Sequence, residues 1–191
     1  MKNTAISLLT TSAALAFTPL GAYAAEDNYV GAAIGARTHY GLDCAGAVTC
    51  DRNANASGKI YFGKQLEKNF AAEVMAWRLG DGKGSVKNGG ASMAGTVHSQ
   101  GVAAVAVAST GFDALTIKAR LGVGYVRGST DYAAGGSTAK SAFVPVMGLG
   151  ASYALDKNWS INADWDRLPA RVNGETRVNA NMFSLGALYR F

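Results

Sequence analysis

The side chains able to do chemistry in this chain are few, and their spacing argues against catalysis. The two histidines are His39 and His98, the side chains suited to act as a base at neutral pH. His98 is followed by Ser99, but neighbours on a strand point to opposite faces, so this pair cannot serve as base and nucleophile. Gly150-Ala-Ser152-Tyr-Ala154 misses the second glycine of a nucleophile elbow. Gly122-x-Gly124 lacks the rest of a dinucleotide loop. The two cysteines, Cys44 and Cys50, are separated by five residues in a Gly/Ala/Asn/Asp-rich stretch. In an oxidising compartment they read as a loop-stapling disulfide. A metal site would need a second pair of ligands, and only His39 lies near. The expectation is therefore no enzyme, no cofactor and no metal.

Charge offers a second kind of chemistry. Glu73, Lys118, Arg120, Asp164, Asp166 and Arg190 each fall on the polar parity of an alternating segment. The last fourteen residues show the pattern most clearly: Phe183, Leu185, Ala187, Tyr189 and Phe191 share one parity, and Met182, Ser184, Gly186, Leu188 and Arg190 the other. This is the period of a strand. Leu115, Ile117, Ala119, Leu121, Val123 and Tyr125 likewise oppose Thr116, Lys118, Arg120, Gly122 and Gly124. Two charges two residues apart on the inward face of so apolar a strand do not suit a soluble core.

Eight such segments follow from the sequence: 29–40, 58–66, 70–79, 97–108, 115–126, 141–155, 159–166 and 178–191. On the first, Arg37 and His39 are expected on the face of Tyr29, Ala33 and Gly35. Trp77 is expected beside Glu73 and Met75, or at a membrane interface if a bulge intervenes. The 97–108 segment alternates valine with alanine and so leaves its facing open. Pro145 within the sixth segment calls for an edge or a bulge. Gly80–Gly95, Gly128–Ala139 and Arg167–Arg177 read as long polar loops, whereas 66–69, 109–113 and 156–158 read as tight turns. Long connections thus follow the odd strands and short ones the even strands, the order of a transmembrane barrel with both termini in the periplasm.

Composition agrees. Hydrophobic residues reach 49%, yet mean hydropathy is only +0.06, as when apolar and polar residues alternate. Met1–Ala24 has a basic start, a short apolar run and an Ala22-Tyr23-Ala24 cleavage signature, so it reads as an export signal removed before Ala25. No later run approaches the roughly 17 apolar residues a spanning helix needs, so a membrane role requires a closed barrel. The net charge of +5 is scattered along an exported chain, which argues against nucleic acid as a partner.

The segment from Gly148 to Asp166 (GLGASYALDKNWSINADWD), the terminal Ser184-Leu-Gly-Ala-Leu-Tyr-Arg-Phe191 and the initial Asn28-Tyr-Val-Gly-Ala-Ala-Ile-Gly35 resemble the OmpA-type transmembrane domain and related small outer-membrane barrels. The resemblance covers essentially all of residues 25–191. It implies an all-β, eight-stranded antiparallel up-and-down transmembrane barrel, in which Tyr189 and Phe191 form part of the signal read by the outer-membrane assembly machinery.

In such a barrel the inward charges are expected to pair across the lumen, either as a plug or as the gate of a small porin-like channel. At the expected outer rim lie Arg37, Lys59, Arg78, Arg127, Lys140, Arg167, Arg171 and Arg177. Of these Arg78, Arg127, Lys140, Arg167, Arg171 and Arg177 are candidates to contact lipopolysaccharide phosphates. The expected role is structural or interactive, with lipids, lipopolysaccharide and host or cell-surface ligands as partners. A low-conductance channel and a lipid-A-modifying enzyme built around His39 are the alternatives.

Overall fold

The computed structural model describes residues 28–41, 51–54, 56–88, 91–133, 135–172 and 176–191. Residues 1–27, with the expected export signal, and Cys44 and Cys50 lie outside the described residues. The strands are β1 Asn28–Tyr40, β2 Asn53–Ala54, β3 Ser57–Glu67, β4 Phe70–Asn88, β5 Ala91–Phe112, β6 Leu115–Tyr132, β7 Ser137–Ala154, β8 Trp159–Val172 and β9 Thr176–Arg190. The two-residue β2 pairs only with Thr38 and His39 of β1. The other strands run antiparallel to their neighbours, and β1 also pairs with β9 from Tyr29↔Arg190 to Tyr40↔Ala180. Eight staves therefore close into a ring with no free edge along the paired length.

Closure sorts the two parities. Ile34, Ile60, Val74, Leu121, Leu149 and Leu185 face outward and are exposed, while Tyr29, Tyr61, Met75, Val126 and Met182 are buried inside. An apolar belt around a whole wall has no counterpart on a soluble monomer and matches a lipid-facing surface. Aromatic residues mark its ends. Phe70, Phe112, Trp159 and Phe191 ring the end that carries the short turns, and Tyr125 stacks obliquely on Phe143 toward the other, with ring centroids 5.3 Å apart. No described helix is long and apolar enough to cross a membrane; the strands do so.

Several expectations are corrected here. The three long connections are shorter than the polar composition implied, because strand pairing runs on to Asn88↔Ala91, Asp131↔Ser137 and Val172↔Thr176. Beyond the lipid belt the outward face is no longer apolar, so the ladder persists while the apolar–polar alternation that reveals it in the sequence disappears. In β1 a bulge between Gly35 and Arg37 reverses the parity. Thr38 and Tyr40 consequently turn inward, and Arg37 and His39 outward. Trp77 needs no bulge: its stretch of β4 stays in register with β3, and the indole is buried in the lumen. The facing of β5 is settled, with Val97, Ser99, Ala103, Val105 and Val107 inward.

Pro145 finds its place at a local edge. It sits opposite Val123 of β6, but pairing of β7 with β8 stops at Met147↔Arg167. Continuing that register would set Pro145 against Pro169, and neither residue has an N–H to donate.

The short turns and both strand termini share one end, the periplasmic end of an outer-membrane barrel. In the Ala154–Trp159 turn the Asp156 carboxylate accepts N–H bonds from Asn158 at 2.8 Å and Trp159 at 2.7 Å. These bonds, Trp159's foremost, hold its pKa below the ordinary carboxylate value. Such a group stabilises the fold above its unfolded pKa of about 3.9, and the contribution is lost as pH falls through the lower folded value. Asp156→Ala is therefore expected to be less heat-resistant than the parent at pH 7 and to match it in strong acid. Gel mobility of unheated samples across pH checks this; an equal gap at every pH contradicts it.

Candidate functional site

The lumen is filled in two layers. Toward the periplasm, side chains from β1, β3, β4, β6 and β8 converge in a ladder of charges. The Tyr29 hydroxyl donates to Glu73 Oε1 at 2.7 Å, and Arg120 Nε donates to Glu73 Oε2 at 2.8 Å. Arg120 Nη1 reaches Asp164 Oδ1 at 2.9 Å. Lys59 Nζ lies 3.0 Å from Asp164 Oδ2 and closer still to Asp166 Oδ2. Asn162 Nδ2 donates to Asp164 Oδ2 at 2.7 Å. The Tyr61 ring packs beneath both cations, 5.4 Å from the Arg120 guanidinium carbon and 5.8 Å from Lys59 Nζ. All five charged groups are buried.

The sequence makes this meeting possible through β7. Gly150 stands between Lys118 and Asp164, and Gly148 between Arg120 and Asp166, in consecutive rows of the sheet. A Cβ at Gly150 would collide with Asp164 Oδ1, and one at Gly148 with Asp166 Oδ1. Bare backbone at these two positions opens the room in which charges from β6 and β8 approach.

Above the charges lies an apolar layer of Trp77, Leu79, Val97, Val126, Val144 and Met182, all buried. The Trp77 indole occupies space left by Gly101 and Gly124. Thr38 and Ser57 share a hydrogen bond of 2.6 Å, and the Tyr40 hydroxyl donates to the Gly80 carbonyl at 2.6 Å.

Of the residues singled out for the lumen, Glu73, Arg120, Asp164 and Asp166 meet in these contacts. Lys118 is buried but joins none of the ion pairs, and Arg190 is exposed at the periplasmic mouth. Lys59, assigned above to the outer rim, is instead 3% exposed and central to the ladder. Its parity with Tyr61 was the available signal, outweighed by its position near the start of its segment.

The outer rim carries a second constellation. Arg78, Gln100, Arg127 and Ser141 form one row across β4 to β7, all facing outward. The next outward-facing row toward the membrane is Ala76, Val102, Tyr125 and Phe143. Arg78, Gln100 and Arg127 also line a cavity of about 290 Å³ with His98 and Ser129. His98 is held on both sides, Nδ1 at 2.6 Å from Asp81 and Nε2 at 3.0 Å from Asp131. His39 Nδ1 lies 3.3 Å from Asn53 Oδ1. Lys140 is exposed and Arg167 half-buried. Arg171 and Arg177 face each other in register near the β8–β9 hairpin end, and their side chains lie outside the described residues. At the opposite end Tyr189 stacks edge-on against Trp159 and Phe191, with centroids at 5.0 Å and 5.3 Å.

The sequence matches the model of the outer membrane protein beta-barrel domain family over residues 10–191. The chain belongs to that family. It is an outer-membrane β-barrel protein of the Gram-negative envelope. Among solved structures the barrel is similar to neisserial surface protein A, with 18% identity and a TM-score of 0.60 over 86% of this chain and 97% of that one. It is also similar to Ail, the attachment invasion locus protein of Yersinia pestis, solved with the heparin analogue sucrose octasulfate. That match has 16% identity and a TM-score of 0.56 over 87% of this chain and 99% of the other. The outer membrane protein OprG of Pseudomonas aeruginosa aligns with 13% identity and a TM-score of 0.55 over 86% and 96% of the two chains. At these identities the likeness is one of fold. No curated protein matches the sequence.

Proposed function

We propose that this barrel is a non-conducting envelope protein that holds lipopolysaccharide at its outer rim and presents its outer hairpins for recognition. The observation that carries the reading is the row Arg78–Gln100–Arg127, set one outward step above Val102, Tyr125 and Phe143. Outer-leaflet phosphates lie just above the acyl chains, at the height of this row, and guanidinium groups match phosphate oxygens in pairs. Arg167 extends the basic rim on β8, Lys140 is exposed but on the inward parity of β7 shared with Val144 and Val146, and Arg171 and Arg177 add backbone positions farther out. Tyr189 and Phe191, at the opposite end, serve the assembly machinery.

Replacing Arg78 and Arg127 together by alanine is expected to weaken lipopolysaccharide binding by the purified protein about tenfold, in keeping with loss of charge-assisted hydrogen bonds. The loss should shrink as salt is raised. Binding to immobilised lipopolysaccharide measures it, and unchanged affinity overturns the reading. A second reading is adhesion: the Yersinia pestis relative was solved with a sulfated saccharide analogue, and sulfate presents the same oxygens to the same arginine row. Competition by such a saccharide against lipopolysaccharide separates the two. A channel is disfavoured by the two filled layers of the lumen. Lipid chemistry at His98 is disfavoured because both of its ring nitrogens are taken by carboxylates; at His39, which is held at Nδ1, comparing lipids from cells with and without the protein tests it.

A further inference from the structure

Lys118 is the buried cation that the charge ladder leaves out. It is 6% exposed, and it takes no part in the ion pairs or in any hydrogen bond described. The reason lies in its neighbours. Asp164, in the same row, has Oδ1 taken by Arg120 and Oδ2 by Lys59 and Asn162. Glu73 has Oε1 taken by Tyr29 and Oε2 by Arg120. With the oxygens of Asp164 and Glu73 taken by other donors, the Lys118 ammonium balances the charge of the ladder without a direct hydrogen bond, on its periplasmic side. There it lines a cavity of about 230 Å³ together with Thr116, Ser152 and Ser160. Ser152 is also buried, at 7% exposure, and its Oγ has no hydrogen-bond partner. Ser152 lies directly opposite Thr116, one inward step from Lys118.

Lys118 and Ser152, whose ammonium and hydroxyl have no hydrogen-bond partner among the described residues, both line one small cavity open to the periplasm. A buried hydroxyl without a partner is costly, and an ammonium with unused donors gains from a further acceptor. An anion carrying two or more oxygens satisfies both, one oxygen on each donor. The volume is below the roughly 300–1,000 Å³ typical of pockets for drug-sized ligands, so the occupant is small. We propose that the periplasmic vestibule binds a small oxyanion, a carboxylate or a phosphate, through the Lys118 ammonium and the Ser152 hydroxyl. Lys157 and Arg190 at the mouth attract anions toward it, against Asp113 and the already hydrogen-bonded Asp156. The ladder above closes the path, so the vestibule binds its ligand without passing it on.

The test is a titration of the folded, nitrogen-15-labelled protein in detergent micelles with sodium phosphate and, separately, sodium acetate, each against sodium chloride at equal ionic strength. Saturable shifts of the Thr116, Lys118 and Ser152 amides are expected with at least one of the two oxyanions. Which one responds tells phosphate from carboxylate. Lys118→Gln is expected to weaken binding about tenfold or more and Ser152→Ala by a smaller factor. Ser152→Ala keeps the charge balance of the lumen and remains informative should Lys118→Gln fail to fold. The proposal stands if a folded variant of either kind loses the response. It is overturned if neither oxyanion shifts these amides, or if every folded variant responds like the parent.

Discussion

Arg120→Met is expected to destabilise the barrel by about 3–5 kcal/mol, the cost of breaking a buried ion pair and leaving its partners charged. The guanidinium is the one group that binds both Glu73 Oε2 and Asp164 Oδ1. Its loss leaves two carboxylates in a narrow interior with one fewer cation. Arg120→Lys should recover only part of the stability, because a single ammonium cannot reproduce the fork that spans both acceptors. Adding Glu73→Gln to Arg120→Met should recover part of it by another route, removing one of the stranded charges. The urea midpoint for unfolding in lipid vesicles measures all three. A midpoint that stays put in Arg120→Met means the ladder is hydrated and contributes nothing. The same variant tests the plug. The apolar layer of Trp77, Val126 and Met182 remains closed above the charges, so planar-bilayer conductance is expected to stay absent. Stepwise currents in Arg120→Met would instead make the ladder a gate.

The second large effect belongs to a residue without a side chain. Gly186→Ala is expected to cost about 3 kcal/mol, at the upper end of overpacking penalties, and to lower the yield of folded barrel. Gly186 lies between Ala33 of β1 and Asn162 of β8. A Cβ there would run into the Ala32 carbonyl and the Ala33 backbone, 2.7 Å from its Cα, and a main chain held in two ladders cannot yield as a flexible side-chain tip can. Gly58 is the control. Its nearest obstacle is the Ala33 carbonyl at 3.6 Å, an ordinary contact, so Gly58→Ala should stay within about 0.5 kcal/mol. Comparing the heat-modified and unheated gel bands of the two variants checks the contrast. Equal behaviour would mean that the close approach at the β1–β9 seam is not what constrains Gly186.

Within the lipid belt the strands were legible because lipid on one side and a narrow lumen on the other impose alternation residue by residue. The same physics explains where reading failed. Past the belt the outward positions of the β4–β5, β6–β7 and β8–β9 hairpins are no longer apolar, so their glycines, serines and lysines looked like loop. The Gly35/Arg37 bulge left no compositional trace, yet it turned Arg37 and His39 outward and brought Thr38 and Tyr40 in. Lys59 was misplaced for a related reason: its height in the barrel follows from the stagger of β3 against β4 and β1, and stagger is a property of pairs of strands.

The sequence by itself determined which residues face lipid and which face inward over most of the wall, because that choice is made by each strand locally through its period of two. It also determined the up-and-down order of the strands, through the length and chemistry of the turns. Only the tertiary structure decided who meets whom inside. Arg120 finds Glu73 and Asp164, and Lys59 finds Asp166, because the closed ring brings β3, β4, β6 and β8 around one axis and glycines on β7 leave the space between them. Lys118 is left over for the same reason: a carboxylate has two oxygens, and which cations reach them is settled by distance across the lumen, a quantity absent from any one strand.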